Sequence, residues 1–139
     1  MKLKNKILKE IRNKGGAFLA VCVILSSVTG TVMAGASMAL LRQSDSVVST
    51  SPLGNTTGKI GLAVSNGTTG DYQVQAVLQA GISSRFDTEI TSVVVAKNTT
   101  YYRVWDVADY FAIAGATLYG NTRSNPKTGC SASVRISNQ

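Results

Sequence analysis

The stretch from residue 101 to residue 111, Tyr-Tyr-Arg-Val-Trp-Asp-Val-Ala-Asp-Tyr-Phe, holds five of the nine aromatic residues of the chain and its only Trp. Two periods compete in it. At steps of three and four, Val104, Val107, Ala108, Phe111, Gly115 and Leu118 would form one stripe of a helix. At steps of two, Tyr101, Arg103, Trp105 and Val107 share one face of a strand, and Tyr102, Val104 and Asp106 share the other. Tyr, Val, Trp, Phe, Ile and Thr suit a pleated surface, and Gly115 would weaken a helix by about 1 kcal/mol relative to Ala. The spacing therefore predicts a strand over 100–106, a turn around Val107-Ala108-Asp109 and a second strand over 110–119. One aromatic face must be core, carried either by Trp105 with Tyr101 or by Tyr102. The other face points outward.

The neighbouring segments repeat the period of two. In 59–65, Ile60, Leu62 and Val64 alternate with Gly61 and Ala63. In 71–79, Tyr72, Val74, Ala76 and Leu78 oppose Gln73, Gln75 and Gln79. Asn66-Gly67 lies between the two, and alternation flanking such a dipeptide predicts a β-hairpin. The segment 89–97 is β-branched on both faces, which suggests a central strand. In 130–137, Cys130, Ala132, Val134 and Ile136 oppose Ser131, Ser133, Arg135 and Ser137, a strand with one face in solvent. Short strands at this spacing predict an all-β fold, a small antiparallel β-sandwich. Residues 42–58 hold Pro52 and many Ser and Thr. With 35–41 they read as a flexible lead-in, carrying at most an edge strand at Val47-Val48, and ordered structure is expected from Lys59 to Gln139.

The N-terminal part decides the compartment. Lys2, Lys4, Lys6, Lys9, Arg12 and Lys14 face only Glu10, and no charge occurs from Gly15 to Leu41. A basic start, an apolar middle and a small-residue exit make a signal peptide over 1–34, cut after Ala34 or Ala36. The alternative is a signal-anchor helix within residues 17–41, which is long enough to cross a bilayer at about 20 residues per span. Both place the rest outside the cytoplasm, secreted or tethered. The Lys-rich start resembles the export signals of Gram-positive bacteria.

Removing the leader corrects the charge. The whole chain is formally +7, but from Gly35 onward eight basic residues face six acidic ones, a net of +2. The basic residues left are scattered singly, so no nucleic-acid partner is expected. Membrane contact is expected only through the leader. Cys22 departs with the leader and leaves Cys130 alone, either as a small buried apolar residue or as one half of an intermolecular disulfide.

The chemistry of sites is thin. No His is present, which removes the commonest general base, the imidazole-activated nucleophiles and the commonest zinc ligand. Asp87 and Glu89 would share a strand face roughly 7 Å apart, a spacing not far from that of paired-carboxylate glycosidases, but loop-edge charges explain them as well. No metal site and no cofactor are expected. Asn55, Asn66 and Asn98 each begin a glycosylation sequon and also stand where turns are expected. The resulting expectation is an exported, non-catalytic binding protein that acts at the cell surface or in the medium on a protein, glycan or cell-envelope component. Its expected contact residues are Tyr101, Arg103, Tyr110 and Tyr119, types enriched at interfaces. The alternative is a secreted bacteriocin-like, membrane-active toxin.

Overall fold

A computed structural model describes residues 35–67 and 72–139. Residues 1–34, read from the sequence as a leader and including Cys22 and Ala34, lie outside the described residues. Those residues contain nine strands and no helix, so the period of two prevails throughout. The strands are β1 (Ala36–Leu41), β2 (Val47–Ser49), β3 (Leu53–Gly54), β4 (Lys59–Asn66), β5 (Val74–Gly81), β6 (Thr88–Val95), β7 (Thr99–Asp106), β8 (Ile113–Gly120) and β9 (Ala132–Asn138).

The strands form two antiparallel sheets. One has the order β1-β9-β4-β7; the other has β2-β8-β5-β6, with β3 also pairing β8. β2 and β3 are two pieces of one edge. Their break falls at Thr50-Ser51-Pro52, where Pro52 has no N–H for the ladder. Thr50 spans the gap: its N–H donates to the Ala116 carbonyl at 2.9 Å and its Oγ1 accepts from the Ala116 N–H at 3.0 Å. Counted as one, they leave eight strands in the order of a double-sheet jelly roll.

The alternation read from the sequence sets which side chains meet between the sheets. Ile60, Leu62 and Val64 of β4, Val74, Ala76 and Leu78 of β5, and Val134 and Ile136 of β9 are all buried in one cluster with Leu41, Val48, Leu53 and Leu118. Burying one such side chain stabilises by about 1.5–3 kcal/mol relative to leaving it exposed. This shared core holds the sheets face to face.

Four expectations need correction. First, the ordered domain does not start at Lys59. Residues 36–54 supply β1, β2 and β3, and Ala39, Leu41, Val48 and Leu53 are core residues. The polar run 42–58 looks like a linker because its strands are short and separated by turns, yet its few apolar residues are what the core needs. Val47-Val48 does form the expected edge strand. An anchor helix cannot extend to residue 41, since β1 occupies 36–41. A cut after Ala36 would remove the first residue of β1.

Second, β4 and β5 are not a hairpin. β4 pairs β7 and β9, whereas β5 pairs β6 and β8. The connection crosses from one sheet to the other, and Gly67 donates to the Ser131 carbonyl at 2.9 Å. Third, β6 is an edge strand, not a central one. Its outward residues include Val94, more than half exposed. Fourth, the turn after β7 is longer than expected. Residues 107–112 carry the chain between sheets, so β8 begins at Ile113 and not at 110.

Candidate functional site

The fate of each aromatic in 101–111 follows from the pairing of β7 with β4. Ile60 opposes Trp105, Leu62 opposes Arg103 and Val64 opposes Tyr101. Opposite residues of an antiparallel pair lie on the same face, and Ile60, Leu62 and Val64 face the core. Tyr101, Arg103 and Trp105 therefore face inward, and Tyr101 and Trp105 pack half-buried against the core. Arg103 lies over Trp105, its guanidinium carbon 4.4 Å from the ring centroid. This cation–π contact covers the indole at the open side of the sandwich. The Trp105 Nε1–H is buried without an acceptor among the described residues.

The outward face of β7 is the other set. Tyr102 is 60% exposed and Val104 38%. The Tyr102 hydroxyl donates to Gln139 Oε1 at 3.1 Å. Across the sheet, Tyr102 lies in one rung with Ala63, Arg135 and Met38. Met38, on the far strand, is 46% exposed. Between these rims the floor is small: Gly61, Ala63 and Ser65 on β4, Ser133 and Ser137 on β9. Gln139 lies over Gly61, where an added Cβ would meet its amide nitrogen at 2.7 Å. At the end of this face an open hollow of about 380 Å³ is lined by Leu40, Arg42, Ser65, Ser131 and Ser133. Arg42 and Arg135 form no ion pair among the described residues. The whole makes a shallow trough with an aromatic rim, a thioether rim, hydroxyls on the floor and two guanidinium groups.

The four residues singled out from the sequence do not converge. Tyr101 and Arg103 are on the inner side of β7. Tyr110 is 68% exposed on the 107–112 crossover, its ring 4.4 Å from that of Phe111, which is buried. Tyr119 is half-buried on the outer face of the other sheet, opposite Val47 and Gln75. Sequence reasoning missed Met38, which falls in the stretch read as a flexible lead-in, and Arg135. The signal for Tyr102 was present. Once Trp105 is taken as inward, a period of two turns Tyr102 outward.

The remaining candidates are placed as follows. Cys130 is fully buried, its thiol 3.7 Å from the Gln73 carbonyl. A thiol so enclosed packs as a small apolar residue and presents no surface to a second chain's cysteine. Asp87 accepts from the Thr88 hydroxyl at 3.1 Å. Glu89 is taken by Arg123, Oε2 to Nη1 at 2.7 Å, and that hydrogen bond raises the Arg123 pKa above its ordinary value. The outer face of the second sheet continues this pairing. Gln75 Oε1 accepts from the Arg123 N–H at 2.7 Å, and Gln75 Nε2 donates to Ser92 at 2.7 Å. Glu89 is thus paired with a cation. No group of three or more His, Cys, Asp or Glu gathers among the described residues. Of the sequon residues, Asn66 is buried and donates to the Val95 carbonyl at 3.0 Å, while Asn98 adopts a left-handed φ of 54°.

No family model matches the sequence, and no curated protein resembles it in sequence. Similar folds occur among solved structures. The K3 cleaved adhesin domain of Lys-gingipain from Porphyromonas gingivalis W83 is 9% identical with a TM-score of 0.49. That match covers 66% of this chain and 63% of the adhesin domain, less than two thirds of its length. PirA is 12% identical with a TM-score of 0.45, over 81% of this chain and all of that one. The C-terminal CBM6 of the laminarinase LamC from Zobellia galactanivorans is 10% identical with a TM-score of 0.40, over 73% of this chain and 99% of that one.

Proposed function

We propose that this is an exported binding protein whose contact surface is the outer face of the β1-β9-β4-β7 sheet, and that it takes an anionic glycan of a cell envelope. The observation that carries this reading is the rung Met38–Arg135–Ala63–Tyr102. It sets an exposed ring and a free guanidinium on either side of a floor too small to obstruct a ligand. The apolar face of a sugar packs on an aromatic ring as other amphipathic groups do. Its hydroxyls would find Ser65, Ser133, Ser137 and Gln139. Arg42 and Arg135 supply the attraction for acidic groups.

The test is co-sedimentation with insoluble cell-wall material. The wild-type protein is expected in the pellet, and added salt should release it, since exposed charges are screened. Tyr102→Ala and Arg135→Ala should each weaken retention at least about tenfold, equivalent to 1.4 kcal/mol. If both variants bind like the wild type, the surface is wrongly assigned. The membrane-active alternative expects dye release from anionic vesicles, whereas this reading expects none.

A further inference from the structure

We infer that the open side of the sandwich, the unpaired edge of β7, pairs with the same edge of a second copy of this chain. β6 and β7 end their respective sheets. Only residues 96–98 join them, so both free edges lie on one side of the molecule.

The phase of the ladder shows what β7 offers. The Val107 N–H donates to the Gly58 carbonyl at 2.8 Å, and the pairing runs on from Lys59 opposite Asp106. Hydrogen-bonded and non-bonded pairs alternate along an antiparallel ladder. Tyr101, Arg103 and Trp105 thus bond to β4. Thr100, Tyr102, Val104 and Asp106 turn their N–H and C=O to the empty side. Of the usual protections against pairing this edge carries charge alone, in Asp106 and in the inward-facing Arg103, whose guanidinium is engaged over Trp105. It has no Pro, no Lys and no break in register over eight residues.

A second copy fits that edge through self-complementarity. A two-fold axis through Tyr102 sets Thr100 opposite Val104 and Tyr102 opposite Tyr102, and each of these pairs exchanges two main-chain bonds. On the inner side, Arg103 then meets Tyr101 of the other copy, a cation beside a ring. An axis through Arg103 would place two guanidinium groups opposite each other, and repulsion disfavours it. The paired walls are about 27 Å long and about 10 Å deep from strand and sheet spacings, and with side chains they would bury on the order of 1,000 Å² in total. That is the lower limit for a specific interface, so the expected dimer is reversible and weak. Outward side chains stay exposed in it. The two Tyr102 rings come side by side, and the trough runs across both copies.

The chain is purified as its cells leave it and followed by sedimentation equilibrium from micromolar to millimolar concentration. A monomer–dimer transition is expected. Amide exchange at Thr100, Tyr102 and Val104 should slow as concentration rises, while Tyr101, Arg103 and Trp105 stay protected throughout. Val104→Pro and Thr100→Pro each remove an outward donor and should leave a folded monomer. A wild-type chain that stays monomeric at millimolar concentration overturns the proposal. So does a dimer in which the Thr100, Tyr102 and Val104 amides keep exchanging freely. If both Pro variants fail to fold, the wild-type exchange pattern decides alone.

Discussion

Two adjacent tyrosines of β7 have opposite fates. Tyr101 packs against the core, and its neighbour Tyr102 stands in solvent. Tyr101→Ala should therefore lower unfolding free energy by about 2 kcal/mol. Tyr102→Ala should change it by less than about 0.5 kcal/mol. Urea titration of the two variants checks the assignment, and equal losses would contradict it. Trp105 offers a finer contrast, because its buried N–H has no acceptor among the described residues. Trp105→Phe keeps a ring beneath Arg103 and removes the orphan donor, so it should cost less than about 1 kcal/mol. Trp105→Ala should cost about 3 kcal/mol. Gly115 is required for a different reason: an added Cβ would overlap the Phe86 ring that lies on the outer face of β8. Gly115→Ala should destabilise by about 1–3 kcal/mol through overpacking, seen as an earlier thermal transition.

Within each strand, periodicity of two was legible, and in β4 and β9 it named the core-facing residues one by one. For β5 it named Val74, Ala76 and Leu78, but it also included Tyr72, which is exposed, and passed over Val77, which is buried. Partners were not legible. Asn66-Gly67 has the residues of a hairpin turn, but the same residues serve a crossover between sheets, because local backbone preference does not specify which strand pairs next. β6 shows the complementary error. Its valines on both faces suggested a central strand, although only one face meets the core and the other is partly exposed at an edge. The ladder phase of β7 gives a test at this scale. Arg103→Pro removes a bond to β4 and should destabilise by roughly 1–3 kcal/mol more than Val104→Pro, whose N–H faces outward. Equilibrium unfolding of the pair measures the difference.

For the molecule as a whole, the N-terminal boundary of the domain carries the largest consequence. β1 pairs β9, and β2 with β3 closes the other sheet against β8. A chain begun at Lys59 should lose its cooperative thermal transition, whereas one begun at Gly35 should keep it. Near-ultraviolet circular dichroism during heating distinguishes them. By itself the sequence determined the all-β class and the inward face of most strands, because alternation is a local property that burial of one sheet face imposes on every strand. It also determined the absence of imidazole chemistry, since composition needs no geometry. Only the tertiary structure decided the pairing order, the membership of residues 36–54 in the domain, and which aromatic faces outward. Those depend on contacts between residues far apart in the chain. The trough shows this most directly: Met38, Ala63, Tyr102 and Arg135 come from four strands that only the folded sheet brings into one rung.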